Sequence, residues 1–209
     1  MKAENVLLTT TTNIGGSSAY HIGKRVFEVL FCLLLLVVTL PVLIITAIAI
    51  KLESPGPIFY KQVRNGLNGT LFNVIKFRSM RNDAEKNGPQ WATQNDARVT
   101  RIGQFIRKTR IDELPQLLNV FRGEMSLIGP RPERPIFTEE FAQEIPDFKH
   151  RLLVKPGLTG WAQVNGGYDI TPKEKLDLDL YYIQNQSMAL DTKIFFRTIW
   201  VVLTGNGAR

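Results

Sequence analysis

Apolar and polar positions along the chain follow three patterns. From Val29 to Ile50 there are 22 residues without a charge. As a helix that run is about 33 Å long, enough to cross a bilayer core of about 30 Å. The short runs Ile58–Tyr60 and Leu71–Phe77, with Asn65-Gly66 and Asn68-Gly69 between them, predict a β-hairpin. Elsewhere apolar residues recur at helical spacing. Ile102, Phe105 and Ile106 share one face, and Leu117, Leu118 and Val120 lie on a second short helix with Gly123 as its C′ residue. A helix spans Phe137 to Phe141, with a break at Pro146. Thr171-Pro172 opens a helix to about Gln184, and Asp191 caps a very apolar last helix that ends before Gly205. That last helix is either core or laid along a membrane surface. Residues 1–21 read as a mobile polar tail, 22–51 as the membrane segment, 52–204 as the globular body and 205–209 as a tail. The polar stretch 82–97 reads as a surface loop, in which Trp91 is either a lid that touches membrane or substrate or, as favoured, a residue packed back on the body.

The uncharged run supports more than one topology. A signal peptide is disfavoured, because its apolar region is normally about 7–15 residues. A straight transmembrane helix is the plain reading. Two details favour a re-entrant one. Pro41 sits near the middle, where it removes a backbone hydrogen bond and breaks or bends the helix. Thr39 and Thr46 can help satisfy the freed carbonyls. Both flanks are also basic, with Lys24 and Arg25 before and Lys51, Lys61 and Arg64 after. The positive-inside rule wants each flank on the cytoplasmic side, which a straight span cannot give.

Composition narrows the chemistry. A chain of 209 residues makes one domain with room for a small annex, and 44% hydrophobic with 22% charged residues is ordinary for a folded protein. One cysteine and two histidines exclude a disulfide framework and make the usual zinc sites very improbable. A metal would have to be held by carboxylates and substrate oxygens, which points to magnesium or manganese. The net charge is +7, and residues beyond 50 carry 23 basic against 17 acidic side chains. A basic body suits a nucleic acid, an anionic membrane or a phosphorylated substrate. No phosphate loop, dinucleotide fingerprint, helix-turn-helix or RNA-recognition signature occurs, and the apolar run argues for a membrane over a nucleic acid.

Three constellations could carry chemistry. Pro115 belongs in a first helical turn, which puts Asp112 at or near an N-cap. Asp112 is then a plain cap, or it is a functional carboxylate beside Glu113, set among Arg98, Arg101, Arg107, Lys108, Arg110, Arg131 and Arg134. In the second case a carboxylate takes up a phosphoryl group while arginines and Mg²⁺ offset its charge. Gly129-Pro130-Arg131-Pro132 is a stiff corner, or a guanidinium pre-set for a phosphate. Asp177-Leu-Asp179 looks like the Asp-x-Asp metal signature of nucleotide-sugar glycosyltransferases. On a helix these residues differ by about 200° and cannot share a metal, so they read as a solvated face.

The chain resembles the monotopic bacterial phosphoglycosyltransferases, the bacterial sugar transferase family, over roughly Lys24 to Thr204. The motifs that carry the resemblance are Lys24-Arg-Val-Phe27, Ser54-Pro-Gly-Pro57, Lys76-Phe-Arg-Ser-Met80, Asn95-Asp-x-Arg-Val-Thr100, Asp112-Glu-Leu-Pro-Gln-Leu117, Met125-Ser-Leu-Ile-Gly-Pro-Arg-Pro132 and Lys155-Pro-Gly-Leu-Thr-Gly-Trp-Ala-Gln-Val-Asn-Gly166. The resemblance implies an α+β, mostly helical fold. A proline-broken re-entrant membrane helix, kinked at Pro41, joins a small cytosolic catalytic domain with a short hairpin and membrane-surface amphipathic helices. It implies transfer of a sugar-1-phosphate, with a hexose such as galactose or glucose, from a UDP-sugar to undecaprenyl phosphate, releasing UMP. Asp112 is then the nucleophile and Glu113 assists. Mg²⁺, or Mn²⁺, sits on Asp112 and Glu113, and Lys76, Arg107 and Arg131 bind substrate phosphate. It places the protein at the bacterial inner membrane, catalytic domain on the cytoplasmic face, at the first membrane step of exopolysaccharide, O-antigen or capsule assembly. Membrane lipids are partners, nucleic acid is not, and a homodimer is left open. Some members have Ser-Pro at the kink, where this chain has Leu40-Pro41. Larger members add N-terminal transmembrane helices and a further domain, so the resemblance is to the minimal catalytic unit. Two rival readings are an Asp177/Asp179 glycosyltransferase releasing UDP, and a non-enzymatic membrane-anchored adaptor.

Overall fold

The computed structural model describes residues 13–86, 88, 96–166 and 170–204. Trp91, most of the 1–21 tail, Asn95 and the 205–209 tail lie outside the described residues. The fold is mostly helical with two small sheets. It is built around one 36-residue helix, α1 (Ser18–Glu53). This helix begins four residues before the expected start of the membrane segment, N-capped by Ser17, whose hydroxyl accepts from Tyr20 N. The expected break at Pro41 is not present as an interruption: α1 runs through it. Proline's own φ is helical, so long flanking helix on both sides can carry the chain past one missing hydrogen bond. Thr39 Oγ1 donates to Leu35 O at 2.6 Å, its own preceding turn, and not to the Val37 carbonyl that Pro41 leaves without its donor.

The body grips α1 at both ends. Near the start, Arg25 donates to the carbonyls of Val120 and Phe121 at 2.7 and 2.8 Å. Glu28, buried, accepts from Leu127 N at 2.9 Å and from the Ser126 hydroxyl. Near the end, Ile50 packs with Phe77 and Ile106 in one small core. Arg78 donates to Ser54 O at 2.8 Å, and Glu53 accepts from Ile102 N at 3.1 Å. Between these holds the helix keeps a wide exposed apolar band that includes Leu34, Val37, Val38, Ile45 and Ile48.

The hairpin forms as its sequence predicts. β1 (Phe59–Asn65) pairs antiparallel with β2 (Leu71–Phe77), Phe59 facing Phe77 and Asn65 facing Leu71. Asn68 turns the corner at φ 52°, the left-handed region that asparagine tolerates. β3 (Ser126–Ile128) and β4 (Gly157–Thr159) pair in parallel. Where these strands run on, Gly129 and Gly157 pass so closely that a Cβ on Gly157 would meet Gly129 N at 2.1 Å. The larger core joins Cys32 of α1 to Phe72, Val74, Leu117, Val120, Met125 and Ile194. Asn119, fully buried, accepts from Ile75 N and donates to Asn73 O, so it fastens the hairpin to α3 (Leu117–Arg122).

The remaining helices are α2 (Arg101–Lys108), α4 (Pro135–Glu144), α5 (Trp161–Asn165), α6 (Pro172–Gln184) and α7 (Met188–Thr204). Gly123 ends α3 at φ 83°, and Thr171 heads α6 with a full capping box, as expected. On α2, Ile106 is buried but Phe105 faces outward, so only part of the expected apolar face meets the core. Asp191 does not cap α7; it lies inside the first turn, its N–H bonded to Ser187 O. Its carboxylate instead pairs with Lys24 at 3.0 Å and accepts from Tyr20 and Tyr182, which ties the start of α1 to α6 and α7. One face of α7 packs inward through Ile194, while Phe196, Ile199, Trp200 and Leu203 face out.

Candidate active site

Four segments converge on one charged centre. β2 delivers Lys76 from its second-to-last position, on the hairpin face that also buries Phe72 and Val74. A 3₁₀ segment, Ile111–Gln116, delivers Asp112 and Glu113. It is entered through Arg110 at φ 58°, so Asp112 sits inside a tight turn and not at the N-cap of a longer helix. Pro115 belongs to this turn, and α3 starts only at Leu117. The turn after β3 delivers Arg131, and the last turn of α2 delivers Arg107, whose Nε donates to Ser79 Oγ at 2.8 Å.

Glu113 and Asp112 are adjacent but differ in state. Arg131 clasps Glu113 through both guanidinium nitrogens, at 2.5 and 3.3 Å, and Lys76 Nζ lies 3.1 Å from the same carboxylate. Burial pushes the Glu113 carboxyl up, but Arg131 and Lys76 outweigh it and hold it well below the ordinary carboxylate range. The same pairing raises Arg131, whereas burial lowers Lys76 despite Glu113. Asp112 is 7% exposed, and its carboxylate makes no hydrogen bond among the described residues. Burial raises its pKa, with Lys76, Arg107 and Arg131 pulling down and Glu113 pushing up. The pair thus divides into a locked anion and an open one.

A second set of buried charges stands behind Arg131. Arg151 Nη2 donates to Arg131 O at 2.9 Å, and Arg64 Nη1 donates to Pro132 O at 3.1 Å. Arg151 is paired with Asp179 at 2.7 Å, and Glu133 gathers Lys175, Arg151 and Arg64. This corrects the reading of Asp177-Leu-Asp179 as a solvated face. Asp177 is exposed, but Asp179 is 1% exposed and neutralised by Arg151. The two point apart and cannot bind one metal, so the glycosyltransferase reading loses its motif. The sequence reading missed Arg64, Glu133, Arg151 and Lys175, whose partners are distant in the chain.

Lys76, Arg107, Asp112, Glu113 and Arg131 all line a single cavity of about 1630 Å³. Among the described residues no group of three or more His, Cys, Asp or Glu could hold a metal by protein ligands alone. The donor set still fits a magnesium-type ion, which takes one or two carboxylates and fills its shell with water and substrate phosphate. Asp112 is free to serve as such a ligand. Glu113 could join only by giving up part of its hold on Lys76 or Arg131.

Known proteins resemble this chain over most of its length. A family model described as bacterial sugar transferase matches residues 19–205. The chain is 47% identical over 196 residues to a UDP-N-acetylgalactosamine-undecaprenyl-phosphate N-acetylgalactosaminephosphotransferase of Aeromonas hydrophila, over 92% of this chain and 46% of that protein. It is 42% identical over 197 residues to a UDP-glucose:undecaprenyl-phosphate glucose-1-phosphate transferase of Caulobacter vibrioides, over 91% of this chain and 73% of that one. A protein of the same name from Escherichia coli is 42% identical over 189 residues, covering 88% of this chain and 41% of its own length. The chain therefore spans less than half the length of the Aeromonas and Escherichia relatives.

Proposed function

The chain belongs to the bacterial sugar transferase family, and from that premise we propose that it moves a sugar-1-phosphate from a UDP-sugar to undecaprenyl phosphate and releases UMP. The observation that supports this most is the Asp112 carboxylate: buried, without a hydrogen bond among the described residues, and within the charge field of Lys76, Arg107 and Arg131. These cations draw the donor's diphosphate oxygens and offset charge on the transferring group. An Asp112 oxygen attacks the sugar-bearing phosphorus, the bond to UMP breaks, and UMP departs on the opposite side. A phosphate oxygen of the lipid then attacks the same phosphorus from the vacated side, and the bond to Asp112 breaks, restoring the carboxylate. Glu113 positions Lys76 and Arg131, and yields part of that hold where a metal is bound. Mg²⁺ or Mn²⁺, held at Asp112 and Glu113 when bound, would supply further neutralisation of the diphosphate.

The donor sugar is a hexose or its 2-acetamido form, since the relatives above are named for N-acetylgalactosamine and glucose. The product would be the first lipid-linked sugar of a surface polysaccharide. The test is nucleotide release by purified protein in detergent, with Mg²⁺, undecaprenyl phosphate and a panel of such UDP-sugars. UMP from one donor, and only with lipid present in turnover, is expected. UDP as the product, or no nucleotide from any donor, would sink the reading.

In this reading the membrane element is re-entrant, α1 bending at Pro41 without a break in its helix. The 18-residue apolar window of α1 is only 11% buried against the body, so it needs another apolar surrounding. Yet Arg25 and Glu28 at one end and Ile50 and Glu53 at the other hold the same body. A helix crossing the bilayer would carry its ends to opposite faces. With both basic flanks on one side, that side is the cytoplasmic face of the bacterial inner membrane. His21→Cys and Leu52→Cys, both at exposed positions, are expected to react alike with a membrane-impermeant maleimide: in inside-out vesicles and not in right-side-out ones. Cys32 is fully buried and should stay silent. Labelling of the two positions from opposite sides would establish a span.

A further inference from the structure

One end of the cavity has no part in the phosphate chemistry described above. β1 sets Tyr60, Gln62 and Arg64 on one face at alternate positions, the face that carries Lys76, cross-strand partner of Tyr60. All four line the cavity, as do Glu85 and Arg134. These side chains are linked. Arg64 Nη2 donates to Gln62 Oε1, Gln62 Nε2 donates to Tyr60 Oη at 2.9 Å, and Arg134 Nη1 donates to Glu85 Oε1 at 2.8 Å. Burial, with the Glu85 charge adding to it, pushes the Tyr60 phenol up. The cavity also has an apolar lining, from Phe27, Phe31 and Leu35 of α1 and from Phe195, Phe196 and Trp200 of α7.

We propose that the Tyr60, Gln62, Glu85 and Arg134 end binds the sugar ring of the donor and discriminates among its hydroxyl and acetamido groups. The inference rests on the two-step reading. In that reading UMP and the lipid phosphate use the same side of the phosphorus in turn, opposite Asp112. That side must open toward the membrane, because the lipid arrives from there along α1 and α7. The sugar stays bonded to the phosphorus through both steps and lies to the side of this line. It needs a subsite away from the membrane, and the hairpin end is the polar region adjoining Lys76. Its groups also suit the task. A carboxylate, an amide, a guanidinium and a phenol together donate to and accept from sugar hydroxyls. A site built on such contacts rejects an epimer strongly, because the wrong hydroxyl leaves a polar group unpaired.

The test compares wild type, Glu85→Gln and Gln62→Ala by initial rates of lipid-dependent UMP release with UDP-glucose, UDP-galactose and their 2-acetamido forms. Inhibition by UMP is measured alongside. The ratio of kcat/KM between the best donor and its C4 epimer should change about tenfold in at least one variant. UMP, which lacks the sugar, should inhibit as it does in wild type. An unchanged ranking of donors would overturn the proposal. So would UMP inhibition that weakens in step with the donor KM, since that would make this the nucleoside end. If wild type releases no UMP from any donor, the two-step reading itself fails, and this inference fails with it.

Discussion

Asp112→Asn should reduce UMP release at least about 10³-fold, the scale seen when a covalent nucleophile is removed, while the chain melts no lower than wild type. The two halves of this result have one cause. Asp112 lies buried, without a hydrogen bond among the described residues, and burial raises its pKa above the ordinary aspartate value. A folded-state pKa above the unfolded one means that the folded protein binds this proton more tightly. The protonated form is therefore favoured in acid, and keeping the carboxylate ionised at neutral pH costs stability. Asparagine removes the charge, and with it both the cost and the nucleophile. In wild type the same shift means that UMP release falls off on the acid side at a higher pH than an unperturbed aspartate would give. Glu113→Gln should behave oppositely in stability. Arg131 and Lys76 hold Glu113 well below its ordinary pKa against burial, so its ionised form stabilises the fold above its unfolded pKa. That contribution is lost only as pH falls through the depressed folded value. Near-normal turnover in Asp112→Asn would remove the covalent mechanism, and a lower melting point would mean that Asp112 serves the fold instead.

The elements that depend on local pattern were legible in the sequence. Thr171-Pro172, Gly123 and the two Asn-Gly turns work through contacts within a few residues, and each stands where its chemistry requires. Asp112, Glu113, Lys76, Arg107 and Arg131 could be named from motifs, and the fold gathers them into one cavity. What could not be read was the state of each group. That Glu113 is engaged and Asp112 free depends on Lys76, 37 residues away, and Arg131, 18 away. Asp179 looked like half of a solvated pair because its partner Arg151 lies 28 residues back. Pro41 suggested a break because the local rule ignores what lies outside the helix. The body holds α1 through Arg25 and Glu28 before the proline and Ile50 and Glu53 after it. One local signal does mark part of the hairpin face. Polar residues alternate at Tyr60, Gln62 and Arg64 along a strand whose partner brings Phe72 and Val74 to the same face, and such alternation marks a face turned toward a ligand or buried charges.

Arg151→Met should destabilise the fold by about 3–5 kcal/mol, the cost of stranding a buried charge, and the double change Arg151→Met with Asp179→Leu should recover most of that loss. Both residues are almost fully buried and paired at 2.7 Å. Removing the guanidinium alone leaves the Asp179 carboxylate beside Lys175, whose ammonium is already shared with Glu133. Removing both charges leaves none stranded, and apolar replacements of similar volume pack tolerably in such places. Activity should not return with stability. Arg151 also holds the Arg131 carbonyl, and with Arg64 on the Pro132 carbonyl it fixes the backbone that aims Arg131 at Glu113 and at the donor phosphate. Without that hold the double variant should release UMP at least about tenfold more slowly, chiefly through kcat, because a misplaced guanidinium weakens the interactions made in the transition state. Thermal unfolding and steady-state kinetics on the same preparations separate the two effects. A double variant that is both stable and fully active would reduce Arg151 to a structural ion pair. A variant that is unstable even when doubled would show that Arg151 serves the fold chiefly by its bonds to Arg131 and Glu133.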